Sequence, residues 1–204
     1  MQYCEQMIAV SGFEPWNAVS NAAFLLAALA AVWTVRRRGD TPAPGPVVLI
    51  GLAAAIGAGS FAWHATHAAW AELADVLPIL AFVLLFLFLA VRRLHGTLAA
   101  GCACAAMAGA IVGTGVALPH ALNGSAAYLP VWLGLVWLGL RLPGRVEQRA
   151  LRAAALLFAF SLVARTLDLR ACETFVHGSH WLWHVCNGGV IHLALRAALA
   201  PAGR

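Results

Sequence analysis

The chain is 204 residues long, 62% hydrophobic and only 10% charged, with a mean hydropathy of +0.83. That balance excludes an ordinary soluble domain and places the chain among multi-span membrane proteins. Its net charge of +5 is explained by basic loops flanking membrane spans, so it calls for neither a nucleic acid nor any other acidic partner. All 13 basic residues are Arg, a usage that together with abundant Ala points to a high-GC bacterial genome.

Residues 1–12 carry no basic stretch ahead of an apolar core, so no cleaved signal is expected and the first span has to direct insertion itself. Runs of about 20 apolar residues are needed to cross the hydrocarbon core. Seven are expected, at about 16–35, 46–66, 75–91, 97–117, 121–140, 149–167 and 178–200. The third and sixth are short unless tilted or extended into their polar flanks. The fold class read from this pattern is an all-α, seven-span membrane bundle, a single domain over 1–204 with an N-terminal segment at 1–15 ahead of the first span.

Arg36, Arg37 and Arg38 follow the first span, which by the positive-inside rule puts that loop in the cytoplasm and the N-terminus outside. Alternation then agrees with the rest of the chain. Arg92 and Arg93 follow span three; Arg141, Arg145, Arg149 and Arg152 follow span five; Arg196 and Arg204 close span seven. Only Arg165 and Arg170 fall outside. The acidic residues sort the other way: Glu5, Glu14, Glu72, Asp75, Asp168 and Glu173 are outer, while Asp40 and Glu147 are inner. His64, His67, His120, His177, His180 and His184 are outer as well. Ligands and carboxylates scattered along the chain are thereby gathered at one membrane face.

Within that face, His180 and His184 are four residues apart, one above the other on a helix, a spacing suited to one metal ion. Ser60 and His64 share a face of span two by the same rule. If spans two and seven touch, His64, His180 and His184 form a three-imidazole site with an open fourth position, the arrangement of catalytic rather than structural zinc. Imidazole ligands favour zinc over a hard cation. Asp75 opens span three at the same depth, where it can accept a proton from water, and Ser60 can donate a hydrogen bond to a developing oxyanion or orient a ligand. Ionisable groups at such depth are costly and usually functional.

Four separated motifs, Glu14-Pro15-Trp16-Asn17-Ala18-Val19-Ser20-Asn21, Ser60-x-x-x-His64, Asp75 and His180-x-x-x-His184, stand in an order that resembles the alkaline ceramidases, part of a wider superfamily of seven-span hydrolases that includes the adiponectin-receptor-like proteins. Asp168 and Cys172 resemble the family too. The resemblance implies an intramembrane zinc amidase that splits ceramide into sphingosine and fatty acid. His64, His180 and His184 would hold zinc, Asp75 would act as acid and base, and Ser60 would polarise or position the scissile carbonyl. It also implies calcium in the N-terminal segment. Here Gln2 supplies only a neutral carbonyl and Met7 a thioether that a hard cation rejects, which leaves Glu5 and Glu14 as candidate calcium ligands. Cys4 and Cys172 both fall outside, so an oxidising compartment would let them pair. Cys102, Cys104 and Cys186 read as small packing residues within spans.

Three functions remain open on these residues: a zinc amidase acting on ceramide or another N-acyl lipid, a related esterase or lipase on other acyl lipids, and a non-enzymatic metal-binding receptor or sensor. Haem would need axial His on facing helices, and a transporter would be expected to show inverted repeats or broken spans; neither pattern is present. The expected location is a bacterial inner membrane, with the site near the periplasmic face and the substrate arriving from the lipid.

Overall fold

The first long helical run shows how this chain writes helix ends. Helix α1 (Cys4–Ile8) and helix α2 (Pro15–Ser20) lead into α3 (Ala22–Arg38), which closes with Arg36, Arg37 and Arg38 in its last turn and Gly39 in the left-handed conformation at φ 68°. Cations complement the carbonyl end of the helix dipole, and glycine takes the left-handed cap without a Cβ penalty. The computed structural model describes residues 3–9, 12–39 and 41–200; Gln2, Asp40 and Arg204 lie outside them. Among the described residues the chain is helical without strands, continuing through α4 (Pro44–Thr66), α5 (Ala69–Ala117), a 3₁₀ turn (Ser125–Tyr128), α6 (Leu129–Arg141), α7 (Arg145–Thr166), the short α8 (Asp168–Ala171) and α9 (His180–Ala198).

The expected spans at 75–91 and 97–117 are the two arms of α5. A straight helix of its 49 residues would be roughly 74 Å long, more than twice the hydrocarbon thickness. Gly96, at φ 84°, breaks it. The span expected from 121 begins later: Leu122, Asn123 and Gly124 all have positive φ, a run that no α-helix interior contains. Residues 118–128 accordingly fold as turns and the 3₁₀ segment, and α6 is only 13 residues long.

Helices α4 and α5, α3 and α4, α3 and α9, α7 and α9, and α6 and α7 pack against one another. Their shared interior holds Leu49, Ile56, Phe86, Leu151, Phe158, Ile191 and Leu195, all buried. Large apolar side chains also face outward, among them Leu26, Leu29, Leu98, Val112 and Leu156, as expected where lipid rather than water is the solvent. Among the described residues three helical runs, Pro15–Arg38, Pro44–Thr66 and Ala69–Ala117, are long and apolar enough to cross a membrane.

One close approach positions the site. A Cβ on Gly59 would collide with the backbone carbonyl of Ala74, so α4 and α5 touch backbone to backbone at the very residues that precede Ser60 and Asp75. Small residues permit this kind of contact between helices in lipid.

Candidate metal centre

Three helix ends meet at one end of the bundle: the C-terminal end of α4 with His64, the N-terminal end of α9 with His180 and His184, and the first turns of α5 with Asp75. The three imidazoles are buried. Their ring centroids are 4.6 Å apart for His180 and His184, 4.8 Å for His64 and His184, and 5.4 Å for His64 and His180. One nitrogen from each lies within 4.8 Å of the others, a group that can hold a metal ion.

The hydrogen bonds around two of these rings orient them for that task. His64 Nδ1 is 2.9 Å from Glu14 Oε2; a carboxylate only accepts, so the proton sits on Nδ1 and the Nε2 lone pair is left for a ligand. The Ser20 hydroxyl donates its single proton to the Asn17 carbonyl at 2.8 Å. At 2.8 Å from His184 Nδ1 it must then accept, which again leaves Nε2 free. His180 differs: its Nδ1 is buried with no hydrogen-bond partner among the described residues. Its backbone N–H donates to Asp168 Oδ1 at 2.8 Å, and Tyr3 stacks on its ring with centroids 3.7 Å apart and planes 19° from parallel. Three buried imidazoles, two of them with Nδ1 already hydrogen-bonded, fit a metal ion.

Ser60 is buried one turn below His64 and donates a hydrogen bond to the Asp75 carboxylate, which lies within electrostatic reach of His64 and Arg165. Asp75 Oδ1 is buried without a hydrogen-bond partner among the described residues. The structure therefore brings Ser60, His64, Asp75, His180 and His184 to one place.

Glu5 and Glu14 stand elsewhere in the chemistry. Glu5 takes the backbone N–H groups of Trp16 and Asn17, each at 2.8 Å, one on each carboxylate oxygen, and so satisfies the open N-terminus of α2. Glu14 is met by the Asn17 amide at 2.6 Å, by His64 and by His67 Nε2. Burial alone would raise its carboxyl pKa, but the hydrogen bond of His64, with help from Asn17 and His67, holds it below the ordinary value. Calcium needs oxygens that converge on the ion; these carboxylates converge on N–H donors instead. Both carboxylates are thus engaged by N–H donors among the described residues, and Gln2 lies outside them.

Cys4 and Cys172 are joined by a disulfide. Beside it, the buried Asp168 accepts from the backbone N–H of Cys4 (2.8 Å), Ser179 (2.7 Å) and His180 (2.8 Å). One carboxylate thus caps α9 and ties the N-terminal segment to it, a cap worth about 0.5–2 kcal/mol. Arg165, buried near the end of α7, lies 5.3 Å from the Tyr128 and Trp183 rings and 5.9 Å from that of Tyr3, and donates to the Asn123 carbonyl at 3.0 Å. The Tyr3 phenol is pushed up to about 12, chiefly by burial and against the pull of Arg165, so it stays neutral and able to donate.

Ser20, Tyr3 and Arg165 were not among the residues expected to act. Glu14, Asn17 and Asn21, at helical spacing and all buried, are a polar stripe on an apolar run, a signal that Ser20 beside them belongs to the site. Nothing local distinguishes Tyr3, whereas Arg165 is one of only two Arg expected on the outer side, the signal that could have found it. A half-open cavity of about 440 Å³ lined by Arg92, Arg93 and Glu147 among apolar residues lies at the opposite end of the helices and shares no residue with the histidine cluster.

Compared with known proteins, the chain has no match among curated sequences. A family model described as Ceramidase matches residues 1–198, nearly the whole chain and every residue of the centre above. The chain belongs to the ceramidase family.

Proposed function

We propose that this protein is an intramembrane zinc-dependent amidase that hydrolyses the N-acyl bond of ceramide or a related N-acyl lipid, releasing a fatty acid and an amine. Membership of the ceramidase family implies a hydrolase acting on amide bonds and a lipid substrate. The observation that carries the finer reading is the buried trio of His64, His180 and His184 with the Asp75 carboxylate and its Ser60 partner beside it.

His64, His180 and His184 would hold the ion, which when bound would supply Lewis-acid activation of water and of the acyl carbonyl. Asp75 accepts the proton of the attacking water and later delivers it to the departing amine nitrogen, so that the C–N bond breaks to a neutral amine rather than an amide anion. Ser60 orients the Asp75 carboxylate by donating to it; once Asp75 has taken up the proton, Ser60 accepts from Asp75 and its own proton is released to donate to the carbonyl oxygen as charge builds there. Glu14 and Ser20 fix the tautomers of His64 and His184.

In this reading the helices form a seven-span bundle with the N-terminus outside and the C-terminus in the cytoplasm. Arg residues at the end remote from the histidines support that orientation. The site then faces the periplasm of a bacterial inner membrane, and substrate enters sideways from the outer leaflet.

The test is metal content and fatty-acid release from a panel of N-acyl and O-acyl lipids by detergent-purified protein, for wild type, His184→Ala and Asp75→Asn. We expect about one zinc per chain in wild type and Asp75→Asn, and little in His184→Ala. Release from an N-acyl lipid should fall by about 10²-fold or more in Asp75→Asn. Zinc without hydrolysis of any lipid would argue for a sensor, release from O-acyl lipids alone for an esterase, and absence of zinc would remove the basis of the proposal.

A further inference from the structure

The three imidazoles are held in two different ways. His64 and His184 each have a hydrogen-bond partner on Nδ1, from Glu14 and Ser20. Among the described residues His180 has none there, and its ring is instead covered face to face by Tyr3 at 3.7 Å. The same tyrosine ring is 5.7 Å from that of His64. An imidazole with no hydrogen bond on Nδ1 is held by packing, and the one ring stacked face to face on His180 is that of Tyr3.

Tyr3 leads into a five-residue helix that Glu5 also ties to α2. Three ties fix it over the histidine. Its phenol is hydrogen-bonded to Arg165. The next residue, Cys4, donates its backbone N–H to Asp168, the carboxylate that also takes the His180 N–H. Cys4 is also linked covalently to Cys172, 168 positions away. Tyr3 and His180 are therefore registered against each other through one carboxylate and one disulfide.

We propose that Tyr3 is the positioning residue for the third imidazole, and that the Cys4–Cys172 disulfide, by keeping Tyr3 on His180, sets how tightly the three-histidine site holds its metal ion. This rests on the metal-centre reading above. The aromatic face does for His180 what the Glu14 carboxylate and the Ser20 hydroxyl do for the other two, and removing a support of that kind from a metal ligand typically weakens binding by about 10–100-fold. Reduction of the disulfide leaves the Asp168 and Arg165 ties in place, so its effect should be smaller than loss of the ring.

The experiment is titration of metal-stripped full-length protein in detergent with Co²⁺, reading the d–d spectrum, and with Zn²⁺ against a competing chelator. Four samples are compared: wild type oxidised, wild type reduced with a phosphine, Tyr3→Phe and Tyr3→Leu. Oxidised wild type should give a tetrahedral Co²⁺ spectrum. Tyr3→Phe, which keeps the ring, should bind within about threefold of it with the same spectrum. Tyr3→Leu should bind about 10-fold or more weaker with an altered spectrum, and reduced wild type should fall between. Equal affinity and spectra for Tyr3→Leu and wild type would overturn the role of Tyr3 while leaving the metal centre intact. Equal losses in Tyr3→Phe and Tyr3→Leu would overturn the stacking argument by moving the effect to the hydroxyl. If Tyr3→Leu does not fold, unchanged affinity on reducing wild type overturns the coupling by itself. No Co²⁺ binding in oxidised wild type would overturn the underlying reading and this inference with it.

Discussion

Gly59→Ala tests whether the contact between α4 and α5 builds the site. The added Cβ meets backbone, the carbonyl of Ala74, and would lie 3.0 Å from the amide nitrogen of Asp75. No side-chain rotation relieves a backbone contact, so the two helices must part by something on the order of 1 Å, and overpacking of this kind costs about 1–3 kcal/mol. For a chain of this size each kcal/mol lowers Tm by about 2–4 °C, so a fall of roughly 2–12 °C is expected. The same separation moves Asp75 and Ser60 away from His64, and a misplacement of about 1 Å can cost on the order of 10²-fold in rate. His64, His180 and His184 lie on α4 and α9, so zinc content should hold while hydrolysis falls. Thermal unfolding by intrinsic fluorescence, zinc content and fatty-acid release on one preparation read the three effects together. A Gly59→Ala protein with wild-type Tm and wild-type turnover would refute the claim that this contact aligns the site.

Glu14→Gln should weaken zinc binding by about 10–100-fold, because the carboxylate orients His64, as a chelator competition would read. Its pH signature follows from the lowered Glu14 pKa. A carboxyl depressed on folding stabilises fully above its unfolded value, near 4.5, and that stabilisation is lost as pH falls through the folded value. Metal-free wild type should therefore lose Tm more steeply than metal-free Glu14→Gln as pH drops below about 4.5; parallel curves would contradict the assignment. Calcium-selective chelation should leave both Tm and hydrolysis unchanged, since Glu5 and Glu14 are already satisfied by N–H donors; a loss restored by added Ca²⁺ would show that this segment rearranges around an ion.

Much of this protein is legible along the chain because it depends on local spacing and on the membrane as a solvent. The apolar runs mark the helices, Arg36, Arg37 and Arg38 mark an inner end, and the four-residue steps from Ser60 to His64 and from His180 to His184 put each pair on one helix face whatever the rest of the chain does. Boundaries were less legible where backbone conformation intervenes. The start expected at 121 moved to Leu129 because Leu122, Asn123 and Gly124 adopt positive φ, which hydropathy does not register.

What only the tertiary structure decided is who supports whom. Glu5 and Glu14 carry the right oxygens for a cation, but their worth as ligands depended on whether N–H groups reached them first, and Trp16, Asn17, His64 and His67 did. Tyr3 and His180 are 177 positions apart in the chain, and no periodicity joins them. Their stacking follows from a disulfide and a shared carboxylate that bring a short N-terminal segment over the start of the last helix. Spacing along one helix is set by the backbone itself, whereas a contact between remote segments exists only once the whole bundle has closed.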